Sequence, residues 1–575
     1  MEKKEIKKDI TQKTIVDNRL RTINFVMNIL FILLVIHLFL VQVVDLNGYK
    51  ERGIAIRNSN NPAIRGNILD RNGMKLATDS LTYEVYAHPN YYTKKRPPEI
   101  LAQTLAPALR ISEDELLKLL LSKKFNTITL SKNVDKQTAD KIRHLHLREI
   151  SVGTLNKRFY PQGQIASHII GYYSHLSKNA IGIENIANDK LANIIDDGSF
   201  QRTGNGQIIF DLKTNPDKII KNSKGEDITL TLDTAVQYIC EKALEKKIKE
   251  TKAERGTVIV MDVKTGEILA YVSSPSFDPN NYWNYSQLQM KNWSLTDVYP
   301  PGSTFKIITV ATAMELGKIN EFSRIPDTGK MKIGKFLIKN YDYDKHPNPG
   351  MISLEYLFEH SSNVGSANIA LMLNSYSYYQ KLRDFGFGQK TGIDLTAESR
   401  GLLPKPTTWD KSRKITMGYG YGASVTAIQM ISAISAIANN GVWITPHVVK
   451  YSADELPNRV QCRRVMTEEN AKAVTRLLAK SISNSKSILN MDKYSVAAKT
   501  GTSRKNVSNG RDVYTSAIGY FPASNPEIAI YVVVDSPKTG VDWGSTVATP
   551  VLKEVILETG KLLNIKPDKA SGGID

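Results

Sequence analysis

A serine and a lysine three positions apart, Ser303 and Lys306, are the residues of this sequence with the clearest chemical potential. They follow Tyr-Pro-Pro-Gly at 299–302 and precede an apolar run at 307–314, which predicts a buried helix with the pair at its start. Side chains at positions i and i+3 share one helix face, so the Lys306 amine is expected beside the Ser303 hydroxyl. Burial would lower the lysine pKa, and the neutral amine could then remove the serine proton to give a nucleophile.

The same pair also has a purely structural interpretation, in which Ser303 caps the helix and Lys306 is a surface residue. A chain of 575 residues is expected to contain a few such pairs by chance. Ser483 and Lys486 form one, and they lack both the Pro-Gly entry and the apolar helix. Further elements are therefore needed to decide between a catalytic pair and a cap.

A second polar element, Ser-Ser-Asn at 361–363, stands between two predicted helices at 354–360 and 367–373. In a corner between helices, the Ser361 hydroxyl could relay a proton to a leaving amine, and the Asn363 amide could orient a substrate backbone. Taken alone, the element is better explained as a cap of the second helix. Its position after the serine–lysine pair favours the catalytic interpretation.

The triplet Lys-Thr-Gly occurs four times, beginning at Lys264, Lys390, Lys499 and Lys538. The surrounding residues place the first copy in a hairpin turn and the second and fourth in a loop and a turn. Only the third copy continues a short strand of small residues, at 495–498, whose backbone could approach a ligand as an added strand would. We therefore select Lys499 and the residues that follow it as the functional copy.

This strand could complete a binding site around the nucleophile. Lys499 would supply positive charge, and the hydroxyls of Thr500 and Thr502 could hold a substrate carboxylate. The backbone N–H groups of Ser303 and Thr502 would form an oxyanion hole. The sequence thus predicts acyl-transfer chemistry in a groove lined by three distant segments.

Ser-x-x-Lys, a Ser-x-Asn element and Lys-Thr-Gly form the signature of penicillin-binding proteins and serine β-lactamases. The chain as a whole resembles the bacterial class B penicillin-binding proteins, the D,D-transpeptidases that cross-link peptidoglycan. Other segments that resemble blocks of this family lie at 65–73, 182–184, 277–280 and 439–446. Two segments depart from the family pattern, Met-Gly-Tyr-Gly at 417–420 and Gly-Ser-Thr at 544–546, where a glycine pair is expected.

The resemblance implies that Ser303 forms an acyl-enzyme with the carbonyl of a terminal D-Ala-D-Ala bond and that Lys306 is its base. The other two motifs would comprise Ser361 and Asn363, and Lys499, Thr500, Gly501 and Thr502. A stem-peptide amine would then complete the cross-link, and β-lactams would acylate the same serine. The resemblance implies neither a metal nor an organic cofactor.

Two roles within the family are compatible with the sequence. Thr-Asp-Val at 296–298 resembles septal cell-division enzymes, whereas Tyr-Pro-Pro at 299–301 resembles elongation enzymes that maintain cell shape. The compact length favours the septal role. The family resemblance implies that the partners include peptidoglycan stem peptides with their lipid-linked precursor, and β-lactams. The septal role adds a membrane-embedded polytopic glycosyltransferase and division proteins. A β-lactam sensor, which binds the drug without turnover, and a β-lactamase are the alternatives from other classes.

An N-terminal apolar run at 23–44 has about the length that a bilayer core requires. The basic residues before it predict a cytoplasmic tail at 1–22 and an uncleaved anchor in the bacterial plasma (inner) membrane, with the rest of the chain outside. The family resemblance implies an elongated pedestal of the dimerisation type at 45–225 and a transpeptidase domain at 226–565. We expect a disordered tail at 566–575.

The fold class follows from the order of elements in the larger domain. A strand at 227–232 precedes a long amphipathic helix at 235–252 and the hairpin around Lys264. A strand at 528–534 and a closing helix at 550–563 end the domain. This order predicts an α+β fold, with an antiparallel sheet flanked by helices.

Composition, charge and rarer residues limit the remaining possibilities. The formal charge of +19 predicts anionic partners such as lipid head groups, a pyrophosphate or stem-peptide carboxylates, or else an ordinary basic surface. The sequence contains no nucleic-acid-binding motif, so we expect no nucleic-acid partner.

Cys240 and Cys462 lack metal-ligand spacing, and Cys240 is expected on the apolar face of its helix and not in a disulfide. The histidines show no paired ligand spacing, and His360, beside the second motif, is expected to serve packing.

Overall fold

The computed structural model describes residues 2–40, 64–122, 127–174, 177, 179–192, 201–202, 208–209, 225–334, 336–505, 512–540 and 542–569. The chain divides into two units, of which one contains residues 1–63 and 194–224 and the other contains residues 64–193 and 225–575. The second unit holds all the segments that the sequence marks as functional.

The described α-helices of six residues or more are α1 (Glu2–Phe39), α2 (Pro98–Leu109), α3 (Glu113–Leu120), α4 (Lys136–His144), α5 (Thr234–Thr251), α6 (Lys306–Glu315), α7 (Leu354–Glu359), α8 (Asn363–Met372), α9 (Ser375–Asp384), α10 (Lys411–Gly418), α11 (Ala427–Ala438), α12 (Glu468–Asn484) and α13 (Gly544–Leu562). The described strands are β1 (Ile68–Leu69), β2 (Lys75–Ala87), β3 (Ile128–Val134), β4 (Ile150–Phe159), β5 (Gln201–Arg202), β6 (Ile208–Ile209), β7 (Ile228–Thr229), β8 (Arg255–Asp262), β9 (Ile268–Ser274), β10 (Arg324–Asp327), β11 (Lys330–Ile333), β12 (Phe336–Lys339), β13 (Gly350–Ser353), β14 (Val442–Ile444), β15 (Cys462–Arg464), β16 (Ala497–Arg504), β17 (Val513–Phe521) and β18 (Ile528–Asp535).

The N-terminal helix α1 carries the apolar segment predicted from the sequence. Its stretch Asn18–Phe39 has 22 residues and a mean hydropathy of 2.3, and its side chains are exposed. That length and composition suffice to cross a membrane. The segment covers the predicted run at 23–44 as far as residue 39, and residues 41–44 lie outside the described part of the chain.

A small α/β layer precedes the catalytic region. Strand β2 pairs antiparallel with both β3 and β4, and helices α2, α3 and α4 cover the resulting sheet. Tyr83, Val85 and Ala87 of β2 alternate inward, as the two-residue period of a strand requires, and they share a hydrophobic cluster with residues of the three helices. This layer lies within the predicted pedestal at 45–225.

The strand predicted to open the catalytic domain, at 227–232, belongs to a different sheet. Its residues Ile228–Thr229 form β7, which pairs in parallel with β1. The backbone N–H of Gly225 also donates to the carbonyl of Ile64. A hydrogen-bonded sheet therefore crosses the predicted boundary at 225–226, since pairing between distant strands leaves no mark in the local sequence.

Three of the segments that resemble family blocks meet at one buried cluster. Glu184 accepts hydrogen bonds from Arg65 Nε at 2.7 Å and from Arg158 Nε at 2.6 Å, and all three side chains are buried. Asn280, from the third block, exchanges hydrogen bonds with the backbone of Tyr160, whose hydroxyl donates to Glu184. The cluster joins residues that lie far apart in the sequence, from Arg65 to Asn280.

The central sheet has the order β16-β17-β18-β8-β9, and all its neighbours are antiparallel. Every residue of β18 is buried, because helices cover both faces of the sheet. Ile530 and Val532 pack in the cluster formed with α5 and α13, whereas Ala529 and Tyr531 pack in the cluster that contains α6, α11 and α12. The predicted α+β architecture is confirmed.

Two predictions for the C-terminal region need correction. The closing helix, predicted at 550–563, begins at Gly544 and includes Pro550, because a proline removes one N–H donor without always ending a helix. The first part of the predicted disordered tail is ordered, since Asp568 accepts hydrogen bonds from Ser495 and Ser524. Residues 570–575 lie outside the described residues.

Both cysteines have free thiols. Cys240 lies on the apolar face of α5, fully buried against Leu244 and Val260, as predicted. Burial raises the pKa of the Cys240 thiol, which keeps it protonated and unreactive. Cys462 lies on the exposed strand β15.

Candidate active site

The segment that contains Ser303 forms a tight turn before α6. Residues Gly302–Phe305 form a single turn of 3-10 helix, and Lys306 begins the α-helix. Side chains at i and i+3 of a 3-10 helix are eclipsed, so Ser303 and Lys306 share one face. The predicted pairing is thus retained, although Ser303 lies in the turn and not in the α-helix itself.

The turn is held from several sides. Gly302 has a φ of +59°, in the left-handed region, and its N–H donates to the carbonyl of Gly420 at 3.1 Å. Tyr299 pairs its backbone with Val425, and the buried ring of Phe305 packs beside Phe387. Ser303 itself is partly exposed, and among the described residues no hydrogen bond engages its hydroxyl. The hydroxyl therefore lies at the surface of a rigid turn.

Lys306 is completely buried, contrary to the surface alternative considered for this residue. Its Nζ donates to the Ser361 carbonyl at 2.5 Å, to the Ser361 Oγ at 3.2 Å and to Asn363 Oδ1 at 2.8 Å. Burial lowers the pKa of Lys306 well below its usual value, and the positive charge of Lys499 lowers it further, against the opposing charges of Asp327 and Asp342. This shift favours the neutral amine, the form that can accept a proton.

In the second polar element, one serine caps a helix and the other contacts Lys306. Ser362 caps α8, since its Oγ accepts the Gly365 N–H at 2.8 Å. This cap starts the helix at Asn363, four residues before the predicted start. Ser361, with a φ of +52°, turns the chain so that its carbonyl and hydroxyl face the Lys306 amine. The cap and the candidate catalytic side chains are thus different residues.

Two buried residues that the sequence analysis missed support this element. Asn340 Oδ1 accepts the backbone N–H groups of Asn363 and Val364, at 2.9 and 3.0 Å. Asp327 accepts hydrogen bonds from the Asn340 amide and from Ser362 Oγ, at 2.9 and 2.5 Å. Asp327 and Asn340 thereby fix the position of Asn363. Neither residue stands in a recognisable motif, so the sequence offered no signal for them.

The third element lies on an edge strand of the central sheet. Lys499, Thr500, Gly501 and Thr502 are in β16, opposite Ile518, Ala517, Ser516 and Thr515 of β17. A Cβ on Gly501 would lie 2.6 Å from Ser516 Oγ and 3.0 Å from the Thr304 methyl group, so only glycine lets the strand lie against the Ser303 turn. Of the four Lys-Thr-Gly copies, the third lies in a strand and the other three lie outside strands.

Lys499 is also buried, with 6% of its surface exposed. Burial lowers the pKa of Lys499 to about 8. Its Nζ donates to the Thr500 carbonyl at 3.2 Å, and its charge lowers the pKa of Lys306. The structure therefore brings the three sequence elements together around one partly exposed serine.

Comparison with known families identifies this arrangement. Residues 256–557 match the penicillin-binding protein transpeptidase domain, and residues 60–193 match the penicillin-binding protein dimerisation domain. The chain belongs to the penicillin-binding protein transpeptidases. The two matched regions correspond to the catalytic α+β unit and to the segment that contains the small α/β layer.

Individual relatives of this transpeptidase cover most of its length. It is 30% identical to stage V sporulation protein D of Bacillus subtilis over 521 residues, which are 88% of this chain and 79% of that protein. It is 29% identical to the probable peptidoglycan D,D-transpeptidase PenA of Neisseria gonorrhoeae, over 98% of this chain and 95% of that protein. Peptidoglycan D,D-transpeptidase FtsI of Escherichia coli is 28% identical, over 88% of this chain and 85% of FtsI.

A solved structure has the same fold. The crystal structure of a peptidoglycan synthetase from Bifidobacterium adolescentis superposes with a TM-score of 0.64 at 23% identity, covering 88% of this chain and 97% of that one. At this identity the likeness concerns the fold alone.

The two departures from the family pattern have structural explanations. A Cβ on Gly544 would lie 2.3 Å from the Gly501 carbonyl oxygen, which requires glycine at this position, whereas Ser545 is exposed and accepts a side chain freely. The Gly544 N–H donates to Thr502 Oγ1 at 2.9 Å, so the start of α13 orients the hydroxyl of the third motif. Met417 is fully buried in the core, away from solvent.

Proposed function

We propose that this peptidoglycan D,D-transpeptidase uses Ser303 as its nucleophile and Lys306 as the base. The Ser303 oxygen attacks the penultimate D-alanine carbonyl, and its proton passes to the Lys306 amine. D-Alanine leaves as an amine after receiving a proton through Ser361. The amine of a neighbouring stem peptide then attacks the acyl-enzyme, which releases Ser303 and forms the cross-link.

The remaining residues bind and orient the substrate. Lys499, with Thr500 and Thr502, holds the terminal carboxylate, and Gly501 lets the substrate backbone lie along β16. Asn363 orients the peptide amide. The N–H groups of Ser303 and Thr502 stabilise the oxyanion.

One observation carries this assignment: the fully buried Lys306 amine contacts both polar groups of Ser361 and Asn363 Oδ1. A buried lysine surrounded by neutral acceptors, without a carboxylate in hydrogen-bond contact, is suited to lose its proton. A lysine that serves only stability would gain more from an ion pair.

The experiment is mapping of the penicillin adduct. The full-length protein is labelled with a fluorescent penicillin and digested, and the modified peptide is sequenced by mass spectrometry. We expect one adduct, on Ser303. An adduct on Ser361, on Ser483 of the second Ser-x-x-Lys pair, or on any other residue would contradict the assignment.

The pH dependence of acylation should follow Lys499. Its pKa of about 8 means that the ammonium group is present below that pH and lost above it. A β-lactam carboxylate needs this charge, so we expect the acylation rate to fall by up to about tenfold per pH unit above about 8. On the acid side, the rate should fall as Lys306 becomes protonated.

The test compares pH profiles of acylation by stopped-flow fluorescence. In Lys499→Arg the guanidinium stays charged throughout, so the alkaline decline should disappear even if the absolute rate is lower. An unchanged alkaline decline in this variant would assign the decline to another group.

The support of Asn363 by Asn340 should also be measurable. Asn340→Ala removes the acceptor for two backbone N–H groups, and we expect acylation to slow by about tenfold, as a change of about 1.4 kcal/mol in the barrier would produce. Asn340→Asp keeps that acceptor but replaces the amide that donates to Asp327 with a second carboxylate, so we do not expect it to recover the rate. Acylation kinetics with saturating penicillin provide the measurement.

A matched control is Asn374→Ala, which removes an asparagine cap from α9 outside the three motifs. This variant should lose about 1 kcal/mol of stability and keep its acylation rate. Equal slowing in both variants would mean that Asn340 acts only through general stability.

We infer that the transpeptidase acts in septal wall synthesis. Support comes from the Thr-Asp-Val segment at 296–298 and from the similarity to FtsI. The alternative, an elongation role, rests on Tyr-Pro-Pro at 299–301. Depletion in the native cell distinguishes them: filaments support the septal role, whereas rounded or swollen cells support elongation.

The septal role entails an arrangement at the membrane. Helix α1 anchors the chain in the plasma membrane with its basic end in the cytoplasm and the catalytic unit outside. A polytopic glycosyltransferase supplies the glycan strands, and division proteins contact the anchor and pedestal. Turnover distinguishes the transpeptidase from a β-lactam sensor. When lipid-linked precursor and a glycan polymerase are supplied, only the transpeptidase forms cross-linked peptide dimers.

A further inference from the structure

An ion-pair chain of alternating charge connects the end of β16 with the segment before the nucleophile turn. Its members, in order, are Lys505, Asp535, Arg255, Asp297 and Lys291. Lys505 Nζ lies 2.5 Å from Asp535 Oδ1, and Arg255 Nε lies 2.8 Å from Asp535 Oδ2. Arg255 Nη1 lies 2.7 Å from Asp297 Oδ2, and Lys291 contacts the other carboxylate oxygen of Asp297. The proposed transpeptidation mechanism uses none of these side chains.

The ion-pair chain reaches both catalytic segments. Lys505 directly follows β16, the strand of the third motif, and Asp297 is six residues before Ser303. Between them, Arg255 begins β8 and Asp535 ends β18, and these two residues lie opposite each other in the sheet. The ion-pair chain therefore attaches both catalytic segments to the same end of the central sheet.

The two segments also contact each other there. Ser503 Oγ donates to the Pro300 carbonyl at 2.6 Å. A Cβ on Gly302 would lie 3.4 Å from the Thr502 carbonyl oxygen, so the nucleophile turn and β16 are in van der Waals contact. A small displacement of either segment would change the spacing between the N–H groups of Ser303 and Thr502. An oxyanion needs both donors at about 2.7–3.1 Å.

Stability alone does not account for the ion-pair chain. Asp535 is fully buried, and its two cationic partners offset the lost hydration of the carboxylate. Hydrophobic residues of similar volume often stabilise a fold as well as a buried ion pair does. Ion pairs differ in that they fix a distance and an orientation. The Arg255 guanidinium is restricted further, because it stacks on the Trp293 ring at 4.3 Å.

We propose that Arg255 and Asp535 are positioning residues for the transpeptidation reaction. By binding Asp297 on one side and Lys505 on the other, they hold the nucleophile turn against β16 and set the spacing of the oxyanion-hole N–H groups. The inference rests on the proposed function, because that function supplies the oxyanion hole. It also gives Asp297, in the Thr-Asp-Val segment at 296–298, a role in the reaction.

The first test measures acylation by penicillin in the full-length protein, with the variants Arg255→Met and Asp297→Asn. We expect the rate constant at saturating penicillin to fall by about 10- to 100-fold, as a displacement of up to about 1 Å would produce. The concentration that gives half the maximal rate should change little, since the side chains proposed to hold the carboxylate are unchanged. Arg255→Lys retains the charge, and its rate should lie between those of the parent and Arg255→Met.

Infrared spectroscopy of the acyl-enzyme distinguishes positioning from stability. Hydrogen bonds to an ester carbonyl oxygen lower its stretching frequency. With isotope-labelled penicillin, the carbonyl band of the acyl-enzyme should therefore move to higher frequency in Arg255→Met and Asp297→Asn. Arg476→Met is the matched control, because Arg476 forms a pair of hydrogen bonds with the Glu321 carboxylate on α12, outside the three motifs. It should keep the parent rate and the parent band.

An unshifted band in Arg255→Met and Asp297→Asn would overturn the proposal, as would equal shifts in Arg476→Met. If Arg255→Met does not fold, the partly exposed Asp297 decides through Asp297→Asn. Mapping the adduct in the parent distinguishes this failure from a failure of the proposed function. An adduct on Ser303 with an unshifted band in the variants rejects only the positioning role, whereas an adduct on another residue rejects both.

Discussion

Replacing Lys306 with methionine is expected to slow acylation of Ser303 by penicillin by about 10²–10⁴-fold, the range lost with a general base. Methionine fills a similar volume but cannot accept the serine proton. The Lys306 amine is fully buried and contacts Ser361 and Asn363, so the site has little room for water to act as base. Stopped-flow labelling with a fluorescent penicillin measures the rate.

The control for this prediction is the second Ser-x-x-Lys pair. Lys486→Met changes an exposed lysine three residues after Ser483 and should leave acylation unchanged. Thermal unfolding of Lys306→Met shows whether the fold persists, since removal of a buried amine also removes its desolvation cost. Acylation of Lys306→Met at the parent rate would exclude Lys306 as the base.

The largest effect on stability is expected from Glu184→Ala. Glu184 is fully buried between Arg65 and Arg158, and its loss leaves two buried guanidinium groups without that carboxylate. Breaking a buried ion pair in this way costs about 3–5 kcal/mol. We expect the midpoint of chemical unfolding of the full chain, followed by tryptophan fluorescence, to fall accordingly.

A surface glutamate gives the comparison. Glu245 pairs with Lys242 at 3.3 Å and with Lys249 at 2.8 Å on the exposed side of α5. Such pairs contribute below about 1 kcal/mol, so Glu245→Ala should hardly move the midpoint. Similar losses in the two variants would mean that the Arg65–Glu184–Arg158 cluster is not a main source of stability.

The sequence alone was sufficient for the chemistry and for the kind of fold. Ser303, Lys306 and the third Lys-Thr-Gly copy stand in local contexts that restrict them: a Pro-Gly entry before an apolar helix, and a strand of small residues. Hydrophobic patterns also predicted the long helices and strands, and the order of these elements predicted the antiparallel sheet. These features depend on neighbours within a few residues.

Other features were decided by tertiary structure. The sequence left the Ser-Ser-Asn element as either a helix cap or a catalytic corner, and the structure shows both, since Ser362 caps α8 and Ser361 contacts Lys306. It assigned β7 to the catalytic sheet, although this strand pairs with β1 far upstream. Strand pairing depends on long-range contacts, and the hydrophobic pattern of one strand does not identify the strand that pairs with it.

The residues that hold the site in place were not predicted from the sequence, for the same reason. Asp327 and Asn340 act on Asn363 across loops, and Asp342 meets His360 only because a turn and a helix end are packed together. Polar residues in loops carry no periodicity, so their partners are set by how the surrounding elements pack. The sequence by itself predicted which residues do the chemistry, and the tertiary structure decided which residues hold them in place.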